Sequence, residues 1–339
     1  MKILHSACIT PHRCGLYETA REFAAAERKL GHDARLFDPT AMHADRGVPT
    51  TGLQDFLKRC DVIVSHSGLS QAMRESNKPV LHMRHGRPRS TFLIERNGDG
   101  AIYTYLRNLR TGRNVLGVAT LWPEHRPYWQ LLLGREVHCV PPPVDLEAWT
   151  PDGPKGYRFG GKKGDVNLVV ADVWRKDVDP FHVINAFARY AVGRKNVKLH
   201  LYGVNRKDTA LGALLDVLQD LGALGEVKGW IVKGLANAYR AADALLTPHY
   251  IATRTIREAL ACGCQVVADD RCGHVPYRAR ADDLEAYAAR IDKAVTEVRQ
   301  WPEKCHERNR RWAVESFDAM NGARELVGLI ERLLKDGEQ

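Results

Sequence analysis

Short apolar runs alternate with amphipathic helical patterns along almost the whole chain. Runs such as "KILHSAC" (2–8) and "VNLVVADV" (166–173) have the length and the β-branched content of buried strands. Residues 16–30 instead repeat at helical spacing and place on one face Leu16, Ala20, Phe23, Ala24 and Leu30. Strands that alternate with helices are typical of a parallel sheet covered by helices. The pattern therefore predicts an α/β fold.

The alternation stops once, in "TPDGPKGYRFGGKKGD" (150–165), which is rich in Gly, Pro and Lys. Such a stretch is typical of an interdomain linker. We therefore expect a Rossmann-like domain over 1–150, a second one over 165–315, and a last helix over 316–339 that crosses back to the first domain. Ligands of such sheets collect at the carboxyl ends of the strands, which predicts a site in a cleft between the domains.

The composition is that of an ordinary globular protein, with 44% hydrophobic and 27% charged residues in 339. The first residues, "MKILHSACITPHR", carry too few apolar side chains for a signal peptide. No apolar run approaches the roughly 18 to 20 residues that span a bilayer. We expect a soluble, cytoplasmic protein without a transmembrane segment, although peripheral contact with a membrane stays open.

The eight cysteines are scattered and form no CxxC pair, which favours reduced structural thiols. The cluster Cys262, Cys264, Cys272 and His274 fits the ligand spacing of no common zinc module. The sequence therefore predicts no metal site.

Positive charge is concentrated between Arg74 and Arg113, where nine Lys or Arg residues stand against three Asp or Glu, in a chain of net charge +9. A basic surface favours an anionic partner such as nucleic acid, a phospholipid surface or an acidic glycan. A solvated surface with a basic bias is the alternative.

Two segments carry candidate phosphate ligands. Arg175 and Lys176 follow directly after a predicted buried strand, where two cations can neutralise a diphosphate; a solvated loop charge is the alternative. Gly15 lies in the first strand-to-helix loop, where a glycine lets backbone N–H groups approach a phosphate, although a plain turn glycine fits equally well.

The segment "TRTIREALACGCQVVADD" (253–270) predicts a helix that runs into a buried strand. Glu258 is a lone carboxylate near the start of that helix. A carboxylate can accept hydrogen bonds from the two vicinal hydroxyls of a ribose. The alternative is that Glu258 stabilises the positive end of the helix.

The order of these motifs resembles that of GT-B-fold nucleotide-sugar glycosyltransferases, closest to the retaining family four. The resemblance covers nearly the whole chain and rests on residues 15–37, on "VHCVPPPVDLEAW" (137–149), on "ADVWRKDVDPFHVINAF" (171–187), and on "YRAADALLTPHY" (239–250) followed by "REALACGCQVVADDRCG" (257–273). It implies two Rossmann-like domains that face a central cleft, a nucleoside-diphosphate sugar such as a UDP- or GDP-sugar as donor, and no tightly bound cofactor.

The resemblance also implies residue roles. Arg175 and Lys176 match the cations that hold the diphosphate, and Glu258 matches the second glutamate of the E-x7-E pattern, which holds the ribose. This chain departs from the pattern at the first glutamate, where it has Tyr250. Tyr250 or residues of the next turn would then contact the sugar or the phosphates, the candidates being Thr253, Arg254 and Thr255.

In the first half, His82 and His85 lie at the end of a predicted strand. A histidine in a comparable loop of some relatives faces the anomeric region of the donor sugar, and His85 is the better match. We therefore expect a hexosyltransferase-like enzyme that retains the anomeric configuration. Its acceptor would be anionic: a hydroxylated base in DNA, an envelope glycan or a lipid. A nucleotide-sugar 2-epimerase and a non-catalytic nucleotide-sugar or nucleic-acid binding protein are the alternatives.

Overall fold

The computed structural model describes residues 1–7, 15–37, 58–66, 68–86, 88, 101–153, 159, 164–172, 180–203, 209–229 and 234–337. The chain divides into two compact units. The first unit comprises Met1–Asp145 and Phe317–Gln339, and the second comprises Leu146–Ser316.

The first unit is built on a parallel sheet of six strands in the order β2-β1-β3-β4-β5-β6. The strands are β1 (Lys2–Ser6), β2 (Asp33–Phe37), β3 (Val62–Ser65), β4 (Val80–Arg84), β5 (Val115–Thr120) and β6 (Val137–Cys139). The helices described in this unit before its C-terminal segment are α1 (Gly15–Lys29), α2 (Gln71–Glu75), α3 (Ala101–Thr111) and α4 (Arg126–Leu133), and a 3₁₀ turn, Pro123–His125, precedes α4. β3 and β4 are buried along their whole length, as expected of central strands covered on both faces.

The second unit repeats this plan, with six parallel strands in the order β12-β11-β10-β7-β8-β9. They are β7 (Val166–Ala171), β8 (Val197–Tyr202), β9 (Leu224–Lys228), β10 (Ala244–Leu246), β11 (Gln265–Ala268) and β12 (Tyr277–Arg278). The helices are α5 (Phe181–Ala191), α6 (Thr209–Asp220), α7 (Leu235–Ala241), α8 (Arg254–Ala261), α9 (Leu284–Gln300) and α10 (Pro302–Phe317). Two parallel sheets with flanking helices confirm the predicted α/β class.

The last helix, α11 (Ala319–Gly337), packs on the first unit. The bridge between Val144 and Asp318 precedes it, and a side chain at Gly322 would meet the carbonyl oxygen of Pro141 at 3.1 Å. Leu326 and Ile330 of this helix are buried. No helix in the described ranges is long and apolar enough to cross a membrane.

In α1, three of the five predicted apolar positions, Ala20, Phe23 and Ala24, are fully buried, whereas Leu16 and Leu30 are partly exposed. The helix also buries two carboxylates that the pattern does not predict, Glu22 and Glu27. Gly31 ends the turn after the helix at φ 90°, a conformation that favours glycine.

The cysteines at 60, 139, 262, 264, 272 and 305 carry free thiols. Among the described residues, no group of three or more His, Cys, Asp or Glu side chains is arranged to hold a metal ion.

Candidate functional site

The carboxyl end of the second unit's sheet carries a buried polar cluster. Asp172 directly follows β7, and Thr247 and His249 follow β10. Nε2 of His249 donates to Oδ1 of Asp172 at 2.8 Å, and Oγ1 of Thr247 donates to Oδ2 of Asp172 at 3.1 Å. All three residues are buried. The cluster therefore fixes the ends of two neighbouring strands at the edge where such sheets bind ligands.

Tyr287, on α9, makes hydrogen bonds to the same end of the sheet. Its hydroxyl accepts from the backbone N–H of Thr247 at 3.0 Å and lies within hydrogen-bond distance of the carbonyl oxygens of Thr247 (2.9 Å) and Val267 (2.7 Å). Tyr287 is fully buried, and burial holds the pKa of its phenol well above the usual value. The neutral hydroxyl therefore links Thr247, directly after β10, to Val267 on β11.

Glu258 lies on α8, the helix that follows β10. It is the fifth residue of this helix, whose first turn holds no acidic residue. Glu258 therefore lies beyond the first turn, where the effect of the helix dipole fades, and its role in ribose binding or in the stability of the helix stays a prediction. It is only 3% exposed, and its Oε1 lies 2.5 Å from Nε of Arg254.

The other residues predicted near Glu258 lie at the N-terminus of α8. Thr253 is the N-cap, and its Oγ1 lies 3.1 Å from Oγ1 of Thr255. Its side chain makes no capping hydrogen bond to the helix. The first backbone N–H groups of a helix suit an anion. The structure thus brings together Thr253, Arg254, Thr255 and Glu258 within two turns.

Tyr250, at the position where the resembled family has its first glutamate, pairs with a cation. The guanidinium of Arg271 lies over the Tyr250 ring, 4.6 Å from the ring centroid. Nε of Arg271 is 2.7 Å from Oδ1 of Asp269. Burial acts to raise the pKa of Asp269, but the hydrogen bonds from Arg271 outweigh it and hold that pKa below its usual value. An aromatic ring with a paired Arg–Asp therefore stands where the family has a lone carboxylate.

Sequence reasoning missed Asp172, His249 and Arg271. The only signal for Asp172 was its place directly after a buried strand. Arg175 and Lys176, which follow it in the chain, lie outside the described residues. Their assignment to the diphosphate stays a prediction.

In the first unit, His85 follows β4 and is half-buried. Its Nε2 lies 2.7 Å from Nδ1 of His66, and its carbonyl oxygen accepts from Nε1 of Trp122 at 2.9 Å. His82, the other candidate, is fully buried within β4, with Nε2 2.6 Å from the Tyr105 hydroxyl. Burial, and then the neighbouring Arg84, hold the pKa of His82 well below its usual value. Of the two histidines, only His85 lies at the carboxyl end of the strand, where ligands of such sheets bind.

Gly15 is the first residue of α1 and is exposed, and its carbonyl oxygen accepts from Oγ1 of Thr19 at 2.7 Å. It therefore lies at the positive end of a helix. Its assignment to phosphate binding stays a prediction.

The basic segment needs one correction. Arg84 is only 7% exposed, and its guanidinium lies 4.3 Å from the centroid of the Trp129 ring. It also donates to the Tyr105 hydroxyl. Arg84 is therefore part of the interior and does not contribute to a basic surface. Arg87 and Arg89 lie outside the described residues.

Arg74 on α2 is exposed, and three further exposed cations of this segment lie closer together along the chain. Arg107 and Arg110 on α3 and Arg113 just after it are exposed, and we call them the basic face. A separate pocket of about 470 Å³ in the first unit is also cation-rich. Its charged and polar lining consists of Arg126, His138, Cys139, Arg324, Glu325 and Arg332. Anionic partners are therefore the ones that these surfaces favour.

Comparison with known proteins gives the fold and no more. No protein-family model matches the chain, and no curated protein is similar in sequence. Among solved structures, HepE from Anabaena in complex with UDP and glucose superposes with a TM-score of 0.68 at 13% identity, covering 98% of this chain and 99% of HepE.

Two other solved structures are similar over comparable lengths. An alpha-glucosyltransferase in complex with UDP and a 13-mer DNA containing a HMU base has a TM-score of 0.70 at 12% identity, covering 98% of this chain and 99% of its own. WaaG, a glycosyltransferase involved in lipopolysaccharide biosynthesis, has a TM-score of 0.70 at 16% identity, covering 97% and 99%. The chain therefore has the GT-B fold of these glycosyltransferases, as predicted, while the assignment to family four stays a prediction.

Proposed function

We propose that this chain is a glycosyltransferase that moves a hexose from a UDP-sugar to a hydroxyl group, with retention of the anomeric configuration. The observation that carries the proposal is the buried Glu258, held by Arg254 beside the N-terminus of α8 at the carboxyl end of the second sheet. This is a carboxylate next to an anion-binding helix end, on a fold shared with structures solved with UDP.

Each part of the donor meets a suitable chemical group. The Glu258 carboxylate accepts hydrogen bonds from the two ribose hydroxyls. The diphosphate binds the N–H groups at the start of α8 and the side chains of Arg175 and Lys176. Thr253 and Thr255 supply hydroxyls to the phosphates or the sugar. Gly15 allows the backbone at the start of α1 to approach the donor.

Catalysis in this scheme is mostly electrostatic. Negative charge grows on the leaving nucleoside diphosphate, where Arg175, Lys176 and the α8 N–H groups stabilise it. His85 contacts the donor sugar near its anomeric carbon. The scheme requires no covalent attack by a protein side chain, because the acceptor hydroxyl approaches on the face from which the diphosphate leaves.

The basic face and the net charge of +9 favour an anionic acceptor. We propose a hydroxymethylated base in DNA as the first candidate, because it combines a hydroxyl group with a polyanion and because one structure of this fold contains such DNA. A lipopolysaccharide acceptor is the second candidate, favoured by the likeness to WaaG.

The test is donor consumption. The protein is incubated with UDP-, GDP- and ADP-hexoses, alone and with hydroxymethylated duplex DNA, unmodified DNA or a lipopolysaccharide core, and free nucleoside diphosphate is measured. We expect UDP release that requires hydroxymethylated DNA, and an α-linked product by NMR. Release only with the lipopolysaccharide core would move the acceptor to the second candidate. Interconversion of UDP-sugars without transfer would identify an epimerase, and consumption of no donor would overturn the proposal.

A further inference from the structure

Glu27 is a carboxylate in the interior of the first unit. It lies on α1 at 0% exposure, and its Oε2 is 2.7 Å from Nε2 of His5, which is fully buried on β1. The other oxygen, Oε1, meets no hydrogen-bond donor among the described residues. A buried carboxylate is costly unless it is paired or neutralised, so the fold keeps this group for a reason other than packing.

The hydrogen bonds continue from His5 to the edge of the sheet. Nδ1 of His5 lies 2.9 Å from Nε2 of His66, and Nδ1 of His66 lies 2.7 Å from Nε2 of His85. The rings of His5 and His66 are stacked, with centroids 5.2 Å apart. The three histidines come from neighbouring strands of the sheet. His5 lies on β1, His66 directly follows β3, and His85 directly follows β4. One unbroken chain of hydrogen bonds thus joins Glu27 to His85.

The carboxylate fixes the position of every proton in this chain. When Glu27 is ionised and His5 is neutral, Nε2 of His5 donates to Glu27 and Nδ1 of His5 accepts a hydrogen bond from Nε2 of His66. Nε2 of His66 then carries the proton that it donates to His5, so Nδ1 of His66 accepts from His85. The proton of His85 is therefore on Nε2. Nδ1 of His85 is therefore the nitrogen with the lone pair, and a neutral histidine would otherwise be free to adopt either tautomer.

His66, in the middle of the chain, lies where a positive charge is not favoured. His66 is only 3% exposed. Burial, and then the neighbours His85, His5 and His82, hold its pKa well below the usual value. The chain therefore carries a proton past His66 only if each ring gives up one proton as it takes up another, and the Glu27 carboxylate is the group at the far end that can accept the last one.

We propose that Glu27, His5 and His66 form a proton relay that fixes the tautomer of His85 and receives the proton that His85 takes up. The inference rests on the proposed function, which supplies that proton from the acceptor hydroxyl. As the acceptor O–H bond breaks, an N–H bond forms at Nδ1 of His85, and its Nε2 proton passes to Nδ1 of His66. The Nε2 proton of His66 passes to Nδ1 of His5, and that of His5 to Oε2 of Glu27.

The step is balanced and reversible. It ends with one carboxylic acid and three neutral imidazoles, each protonated on Nδ1 instead of Nε2. The reverse shift returns the proton to solvent through His85 after the nucleoside diphosphate has left. Glu27, His5 and His66 are positioning residues, since only His85 contacts the reacting groups.

The first measurement needs no activity. In the ¹⁵N-histidine-labelled wild-type chain, NMR reports the tautomer of each ring and the coupling across each N–H···N hydrogen bond. We expect three rings protonated on Nε2 and two such couplings, one between His5 and His66 and one between His66 and His85. Protonation of any of the three rings on Nδ1 in the resting protein, or absence of the couplings, would overturn the relay.

The second measurement separates proton uptake by Glu27 from its effect on the tautomers of the histidines. In Glu27→Gln the amide oxygen still accepts from His5, so the tautomers are kept, but the amide does not take a proton. We expect kcat to fall by about a hundredfold, the lower end of general acid–base effects, while KM for the donor stays unchanged. Rescue of kcat by Glu27→Asp, which restores a carboxylate, would support proton uptake.

A matched control covers the loss of a buried polar group. His200→Asn removes a buried histidine of the second unit, whose Nε2 is 3.0 Å from Oδ1 of Asn167. It should lower the melting temperature without changing kcat. An unchanged kcat in folded Glu27→Gln would overturn the relay while the transferase stands. A wild-type chain with the expected couplings that consumes no donor would overturn the transferase but not the hydrogen-bonded chain.

Discussion

Glu258, the proposed ribose-binding residue, is a side chain that the fold already holds in place. It is 3% exposed, and Arg254 binds it from the preceding turn of α8 at 2.5 Å. A side chain that folding has already ordered loses little further freedom when a ligand binds. Two hydroxyl donors that bind this carboxylate therefore add nearly their full contribution to affinity.

Replacing Glu258 by Gln should weaken UDP binding about tenfold to a hundredfold, because a hydrogen bond to a charged group contributes about 1.5–3 kcal/mol. Titration calorimetry with UDP measures the change. Glu226→Gln is the control, since it removes the same charge from β9, where Glu226 binds Tyr202 and Lys228. Equal affinity in the Glu258 variant and the wild type would assign Glu258 to the stability of α8 alone.

Among single residues, the sequence predicts which side chains lie close together when one helix carries them all. Thr253, Arg254 and Glu258 lie close together because two turns of α8 carry them all. Asp172 and His249 are not predictable in this way, because 77 residues separate them and only the pairing of β7 with β10 brings them into contact. Such contacts depend on strand order, which the local pattern does not specify.

Among elements, a polar network joins two helices to the edge of the second sheet. Arg308 on α10 donates to both oxygens of Glu297 on α9, at 2.9 and 2.8 Å, and to Oε1 of Gln265 on β11 at 3.0 Å. Tyr277 on β12 donates to the same carboxylate. The hydrogen bond from Arg308, the largest cause, lowers the pKa of Glu297 to about 2.

Glu297→Gln should therefore lower the free energy of unfolding by about 1–2 kcal/mol at neutral pH, a figure reduced for partial exposure. Since the folded pKa of about 2 is below the ordinary 4.5, the carboxylate stabilises the protein fully above pH 4.5 and loses that effect as pH falls towards 2. Urea unfolding above and below pH 4.5 measures the difference between wild type and variant, which should shrink in acid.

The control for this network is an ion pair on the surface. Asp282→Asn breaks the fully exposed pair with Arg280, and its stability should match the wild type at neutral pH. A pH-independent loss in Glu297→Gln would show that packing, and not charge, holds the helices.

Helix faces are predictable because burial repeats every turn. The apolar faces of α1 and α11 follow from that period, as Phe23 and Leu326 show. Glu27 breaks the rule, since a carboxylate in a helical pattern predicts an exposed position. Its partner His5 lies 22 residues away on a strand, so the reason for its burial is tertiary.

For the whole molecule, charge gives the most direct indication of the partner. The composition predicts an excess of cations between Arg74 and Arg113 but not which of them reach solvent. Arg84 is buried against Trp129, whereas the three arginines of the basic face are exposed. Only exposed cations can displace counterions from a polyanion, so a test of DNA binding belongs to the basic face and not to Arg84.

Changing all three arginines of the basic face to Gln should weaken DNA binding and reduce the slope of log affinity against log salt by about 2 to 3, because each lost phosphate contact removes roughly 0.9. Fluorescence anisotropy across a salt series measures the slope. A second triple variant removes the same net charge at exposed positions of the second unit: Lys293, Lys304 and Arg311. If the two variants bind DNA with the same slope, net charge alone sets the affinity and the basic face is no interface. A reduced slope in the first variant only would identify this face as the one that meets the phosphates.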